Sequence, residues 1–138
     1  MGDAQDIIMT EQQYTSIRSF RDLIVWQRAD ELAFKIFDLT DTFPKKYLYD
    51  LTSQLRRAAL SVPTNIAEGC ASFHSGELLQ FLNIARRSLS ETQYLLDFAS
   101  RRKLINQDEF SELESMSVEI SKMINALAKP IRKKKQKT

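Results

Sequence analysis

Apolar residues recur at intervals of three and four through four successive stretches of this chain, a spacing that sets them on one face of a helix. In the first stretch the stripe is Leu23, Trp26, Ala29, Ala33, Ile36, Phe37 and Thr40, with Asp22 expected to cap it and Phe43-Pro44 to end it. The second runs through Leu51, Leu55, Ala58, Ala59, Val62 and Ile66, from an expected cap at Asp50 to an expected stop at Gly69. Pro63 inside it removes one backbone donor, which predicts a kink near Ala59 rather than two helices. After a turn around Phe73 to Gly76, the third carries Leu78, Phe81, Leu82, Ala85, Leu89, Thr92, Leu96 and Ala99. At 1.5 Å per residue it is a rod of roughly 42 Å. In the fourth, Asn106 and Glu109 stand at capping-box spacing ahead of Phe110, Leu113, Met116, Ser117, Ile120, Ile124 and Leu127, and Pro130 is expected to end regular structure.

Only three Gly and three Pro interrupt the 138 residues, and no strand-like alternation competes. The expected fold is therefore all-α: an antiparallel up-and-down four-helix bundle over residues 19–128, after a flexible segment at 1–18 and before a basic, disordered tail at 129–138.

Catalytic chemistry finds no support in these residues. Cys70 has no second cysteine to pair with, and His74 is the only imidazole, so no structural zinc set can form. Gly-rich phosphate loops, HExxH and GxSxG are absent. His74 beside Ser72 and Ser75 lacks the third group that orients a base, and Cys70 reads as a small buried hydrophobe. The expectation is a protein that is not an enzyme and uses neither cofactor nor metal. With no secretory pattern at Met1-Gly2-Asp3 and no apolar run near the roughly 20 residues of a membrane span, the expected setting is cytoplasmic, without a membrane partner.

Charge is unevenly distributed. Residues 129–138 hold Lys129, Arg132, Lys133, Lys134, Lys135 and Lys137 and no acid, so the preceding residues are net acidic although the whole chain is +2. Such an end favours polyanions or simply keeps the chain in solution. Within the helices, Arg56-Arg57, Arg86-Arg87 and Arg101-Arg102-Lys103 form further basic pairs and triplets. On a wheel with Ala85 at zero, Arg87, Tyr94, Phe98 and Arg101 fall at about 200°, 180°, 220° and 160°, opposite the core stripe. Rings between guanidinium groups suit unpaired bases and phosphates, and equally suit a subunit contact. Ile24, Val25, Leu32 and Phe34 lie off the first stripe, an apolar surplus that points to self-association. The expected interface residues are Ile24, Val25, Phe34, Tyr94 and Phe98.

The second stretch also carries a specific signature. Gln54-Leu55-Arg56-Arg57-Ala58-Ala59 followed by Ser61-Val62-Pro63-Thr64-Asn65-Ile66-Ala67-Glu68-Gly69 resembles the core motif of the four-helix-bundle proteins encoded in intervening sequences of bacterial large-subunit ribosomal RNA genes. The Phe20-Arg21-Asp22-Leu23-Ile24-Val25-Trp26-Gln27 opening, the Phe43-Pro44 turn, and Phe81-Leu82-Asn83-Ile84-Ala85 with Ser88-Leu89-Ser90-Glu91 are similar to that family's pattern too. Arg87 departs from it, standing where a Gly is common. The marker residues carried by the resemblance are Trp26, Gln54, Asn65, Glu68 and Gly69. The resemblance implies a ring-like homopentamer associated with RNA. It also extends to accessory proteins of diversity-generating retroelements, which implies a reverse transcriptase as an alternative partner.

These readings converge on a non-catalytic, oligomeric nucleic-acid-binding scaffold, with RNA preferred over DNA. Its expected contacts are Arg56, Arg57, Arg86, Arg87, Arg101, Arg102, Lys103, Arg132, Lys133, Lys134, Lys135 and Lys137. The alternative is an adaptor that docks on a reverse transcriptase and reaches nucleic acid through it.

Overall fold

The structure is a computed structural model that describes residues 19–72 and 74–136. The N-terminal segment 1–18, Phe73 and Lys137 lie outside the described residues, as do the side chains of Lys134 and Lys135. The described chain forms four helices, α1 (Ile24–Thr40), α2 (Ser53–Cys70), α3 (Ser75–Arg101) and α4 (Gln107–Gln136), without a strand. Among the described residues, no helix is long and apolar enough to cross a membrane.

Each helix turns its periodic stripe inward, except that Phe37, expected on the α1 stripe, is 37% exposed. Ala29, Ile36, Leu55, Val62, Ile66, Leu82, Ala85, Ile120 and Ile124 are wholly buried in one continuous core. Two ion pairs set the antiparallel register of α1 against α4. Arg28 grips Glu119 with two bonds, Nε to Oε1 at 3.1 Å and Nη2 to Oε2 at 3.0 Å, and Lys35 Nζ lies 3.0 Å from Glu112 Oε1, two turns along both helices. Between α2 and α3 the register is set by polar contacts, the Ser61 and Ser88 hydroxyls at 2.8 Å and Gln54 Nε2 donating to Glu91 Oε2 at 3.1 Å.

The helix starts differ from the sequence reading at two of the three places where a cap was expected. Asn106 and Glu109 do form the reciprocal box: Glu109 N donates to Asn106 Oδ1 at 2.8 Å, and Asn106 N to Glu109 Oε1 at 3.0 Å. Asp22, however, lies in a 3₁₀ turn (Phe20–Asp22) that precedes α1, and the residue before Ile24 is Leu23, which has no capping side chain. Asp50 sits in a π-turn (Leu48–Thr52) that feeds directly into α2, and its carboxylate accepts from the adjacent Leu51 N. With Thr52 already helical, α2 has no free first turn at Asp50 for a carboxylate to cap.

Both interior prolines are absorbed. α2 runs through buried Pro63 as one helix. α4 likewise passes through Pro130 to Gln136, so the stretch from residue 129 is helical rather than a disordered tail. The reason is the stripe itself, which continues past Leu127 and Ala128 to Ile131, packed against the core. That burial offsets the lost proline hydrogen bond.

Candidate nucleic-acid interface

The basic residues that looked equivalent in sequence separate into three kinds. Arg56 is structural: its Nε donates to Thr40 Oγ1 at 2.7 Å, its Nη2 reaches Asp41 Oδ1 at 2.7 Å, and its guanidinium lies 5.2 Å from the centre of the Phe37 ring. With these groups engaged and its side chain only 25% exposed, Arg56 is withdrawn from the expected set of phosphate contacts. Arg101 is half-committed, bonded to Asp97 at 2.8 Å and lying over Phe98. The hydrogen bond to Asp97 pushes its pKa still higher, so it remains cationic throughout the accessible range. Arg102 donates to Tyr47 Oη at 2.9 Å from an exposed position.

Arg57, Arg86 and Arg87 are the third kind. All three are exposed, and none has an ion-pair partner among the described residues. Gln54–Glu91 and Ser61–Ser88 join the two helices that carry them. Arg57 lies between Gln54 and Ser61 on α2, while Arg87 precedes Ser88 on α3. Arg57 and Arg87 thus belong to the two helices that these contacts join. Tyr94, 59% exposed, continues the outward face of α3 two turns beyond Arg87 and leans on Phe98 at 6.5 Å between ring centres. This arrangement offers fixed cations beside a ring, with little intramolecular neutralisation.

Arg101 lies close to Tyr94 across Phe98, while the other expected contacts on α3 and α4 lie towards the ends of the bundle. Arg132 and Lys133 lie near the end of α4, whereas Arg101, Arg102 and Lys103 lie at the α3–α4 turn. About 25 residues of α4 at 1.5 Å each separate the two clusters by nearly 40 Å, so they form opposite poles rather than one band. A groove of about 420 Å³ between α3 and α4 is lined by Gln93, Tyr94, Leu96, Asp97, Phe110 and Glu114. Its two carboxylates make it a poor place for phosphate.

The expected self-association residues also divide. Phe34 (66% exposed), Ile24 and Tyr94 are solvent-facing, and Phe98 is half-buried against the core. Val25, at 4% exposure, belongs to the protomer's own core. Leu60 was missed. It is 49% exposed on α2, one turn beyond Arg56, and Phe34 lies one turn before Phe37, so the antiparallel pairing sets Leu60 beside Phe34. Its position off the α2 core stripe was the available signal.

Comparison with known proteins follows this geometry. The model of the 23S rRNA-intervening sequence protein family matches residues 21–126. The chain belongs to this family. A crystal structure of a protein of unknown function from the S23 ribosomal protein family of Bacteroides thetaiotaomicron superimposes with a TM-score of 0.72 at 24% identity, covering 77% of this chain and 99% of that one. No curated protein matches. The marker residues chiefly make contacts within the protomer. Trp26 packs edge-on against Phe20 at 4.8 Å. Gln54 reaches Glu91, and Asn65 Nδ2 donates to Ser61 O at 2.8 Å and to Ser61 Oγ at 2.9 Å, extending the Ser61–Ser88 link. Glu68 is exposed. α2 ends at Cys70, one residue past the expected stop at Gly69, and Gly69 itself is buried in the last turn, where an added Cβ would meet Leu78 Cδ1 at 2.9 Å and Phe81 Cβ at 3.1 Å. It is the point of close approach between α2 and α3 in this family member.

Proposed function

We propose that this protein is a non-catalytic RNA-binding scaffold that self-associates, with Arg57, Arg86 and Arg87 as its first phosphate contacts and Tyr94 beside them. The observation that carries this reading is that these three arginines are exposed on α2 and α3 without ion-pair partners among the described residues. Membership of a family named for an rRNA intervening sequence favours RNA over DNA. Phe34 and Leu60 supply the apolar contact for assembly, and a ring of five copies would repeat the basic face and gain avidity.

The test is a titration of structured RNA at 50 and 200 mM salt. With three phosphates engaged, affinity should fall by about 40-fold across that range, and Arg57→Gln or Arg87→Gln should each lower the logarithmic salt slope by about one. Undetectable or salt-insensitive binding rejects the reading. Light scattering of the wild type and Phe34→Glu tests the assembly: the wild type should exceed one protomer and the variant should not. A reverse transcriptase retained from nuclease-treated lysate, with no direct RNA binding, would replace the scaffold reading with the adaptor.

A further inference from the structure

The end of the bundle formed by the α1–α2 connector and the α3–α4 turn presents a second cationic surface, distinct from the α2–α3 seam. Lys45 and Lys46 are exposed on a 3₁₀ turn (Lys45–Tyr47), which passes into the Leu48–Thr52 π-turn. Arg102 Nη2 donates to Tyr47 Oη at 2.9 Å and draws the α3–α4 turn against this connector, bringing Lys103 with it. Lys46 Nζ lies 5.3 Å from the Tyr47 ring centre. Lys45, Lys46, Arg102 and Lys103 have no ion-pair partner among the described residues, and Asp50, the acid of the π-turn, accepts from the Leu51 backbone.

Tyr49, two residues after Tyr47 on the same connector, is 93% exposed. A ring held in water on an ordered π-turn gains nothing from the core, and π-turns are frequent at functional sites. Four cations without an ion-pair partner among the described residues at one end of the bundle, and an exposed ring on the same connector, fit a ligand that supplies a flat apolar face and flanking negative charges. An unpaired nucleotide has both, and every base has a face to stack. A duplex hides its faces and offers the ring nothing. A lipid surface would use the same cations, but Leu48 and Tyr49 alone bury little apolar area in a bilayer.

We propose that this end of the bundle grips unpaired nucleotides of RNA, with Tyr49 as the stacking platform and Lys45, Lys46, Arg102 and Lys103 on the adjacent phosphates. The inference rests on the RNA-binding reading above and adds the kind of RNA it takes.

The experiment uses the full chain and fluorescence anisotropy with a labelled ten-nucleotide oligouridine and a ten-base-pair RNA duplex, for wild type, Tyr49→Ala and Tyr49→Phe, each first checked for helicity. Tyr49→Ala should weaken single-strand binding about tenfold and leave duplex binding unchanged, while Tyr49→Phe retains wild-type affinity because the ring, not the hydroxyl, stacks. Equal loss on both RNAs, no loss on the single strand, or a Tyr49→Phe as weak as Tyr49→Ala overturns it. Tighter, Tyr49-dependent binding to vesicles of phosphatidylserine and phosphatidylcholine than to oligouridine would assign the patch to lipid and overturn it as well. If the wild type binds duplex while the single strand is indifferent to Tyr49, only this inference fails; if the wild type binds neither RNA, the scaffold reading fails with it.

Discussion

Arg56 donates through Nε to the Thr40 hydroxyl at 2.7 Å, and that hydroxyl donates in turn to the Ile36 carbonyl at 2.8 Å. One guanidinium thus ties α2 to the last turn of α1 and, through Asp41, to the residue that follows it. Charge-assisted hydrogen bonds from a partly buried group contribute about 1.5 to 3 kcal/mol. Arg56→Ala should lower unfolding free energy in urea by about 2 kcal/mol while leaving the salt slope of RNA binding unchanged. Arg57→Gln should do the reverse, altering the slope with stability within about 0.5 kcal/mol. A stability-neutral Arg56→Ala with weakened RNA binding would return Arg56 to the interface.

Gly69 sits where α2 and α3 approach most closely among its own contacts, and two effects oppose each other there. Alanine in a helix interior is favoured over glycine by about 1 kcal/mol. The new Cβ would meet Phe81 Cβ at 3.1 Å and Leu78 Cδ1 at 2.9 Å. The Leu78 methyl can swing away, but Phe81 Cβ is fixed to its backbone, so helix α3 itself must shift. Overpacking of this kind costs about 1 to 3 kcal/mol and exceeds the propensity gain. Gly69→Ala should therefore melt at a lower urea midpoint than wild type with an unchanged slope; a raised midpoint would show that the helices part freely.

Lys103 occupies a position that glycine usually fills. Its φ is 62°, and the bonds from Lys103 N to Ser100 O and Leu104 N to Ala99 O, both 2.9 Å, close α3 in a Schellman arrangement. A left-handed lysine pays about 1 kcal/mol in backbone strain. Lys103→Gly should recover it, raising thermal stability by a few degrees for a chain of this size. Unchanged or lower stability in Lys103→Gly would mean that this backbone is relaxed.

Burial pushes the Cys70 thiol up from its ordinary 9.0 to about 11. The thiolate is the form that reacts, so two units make it about a hundredfold scarcer at pH 8. Iodoacetamide labelling of the native chain should be slower than labelling in urea by about that factor, read by mass spectrometry. The same shift favours the protonated thiol in the fold. Its stabilising contribution is complete below about pH 9 and declines as pH rises towards 11, a decline that Cys70→Ala should remove. Equal labelling rates in native and unfolded chain would place Cys70 in solvent.

The sequence by itself determined the helices and their inward stripes. Ile36, Leu55, Leu82 and Ile124 all point inward where a period near 3.6 placed them, because that period is a local property of one helix. The Asn106–Glu109 box was legible for the same reason, both partners lying within one turn. Only the tertiary structure decided which arginines are spent. Arg56 and Arg57 are neighbours in the chain, yet one faces Asp41 and the other faces solvent, an outcome set by how α1 and α2 register against each other. Val25 and Ile24 divide likewise, one in the core and the other 42% exposed. Pro130 stays helical because Ile131 finds the core, and Gly69, in the last turn of α2, is buried because α3 presses on it. In each case the deciding neighbour belongs to another element, and its position follows from the packing of the whole core rather than from spacing along one strand of sequence.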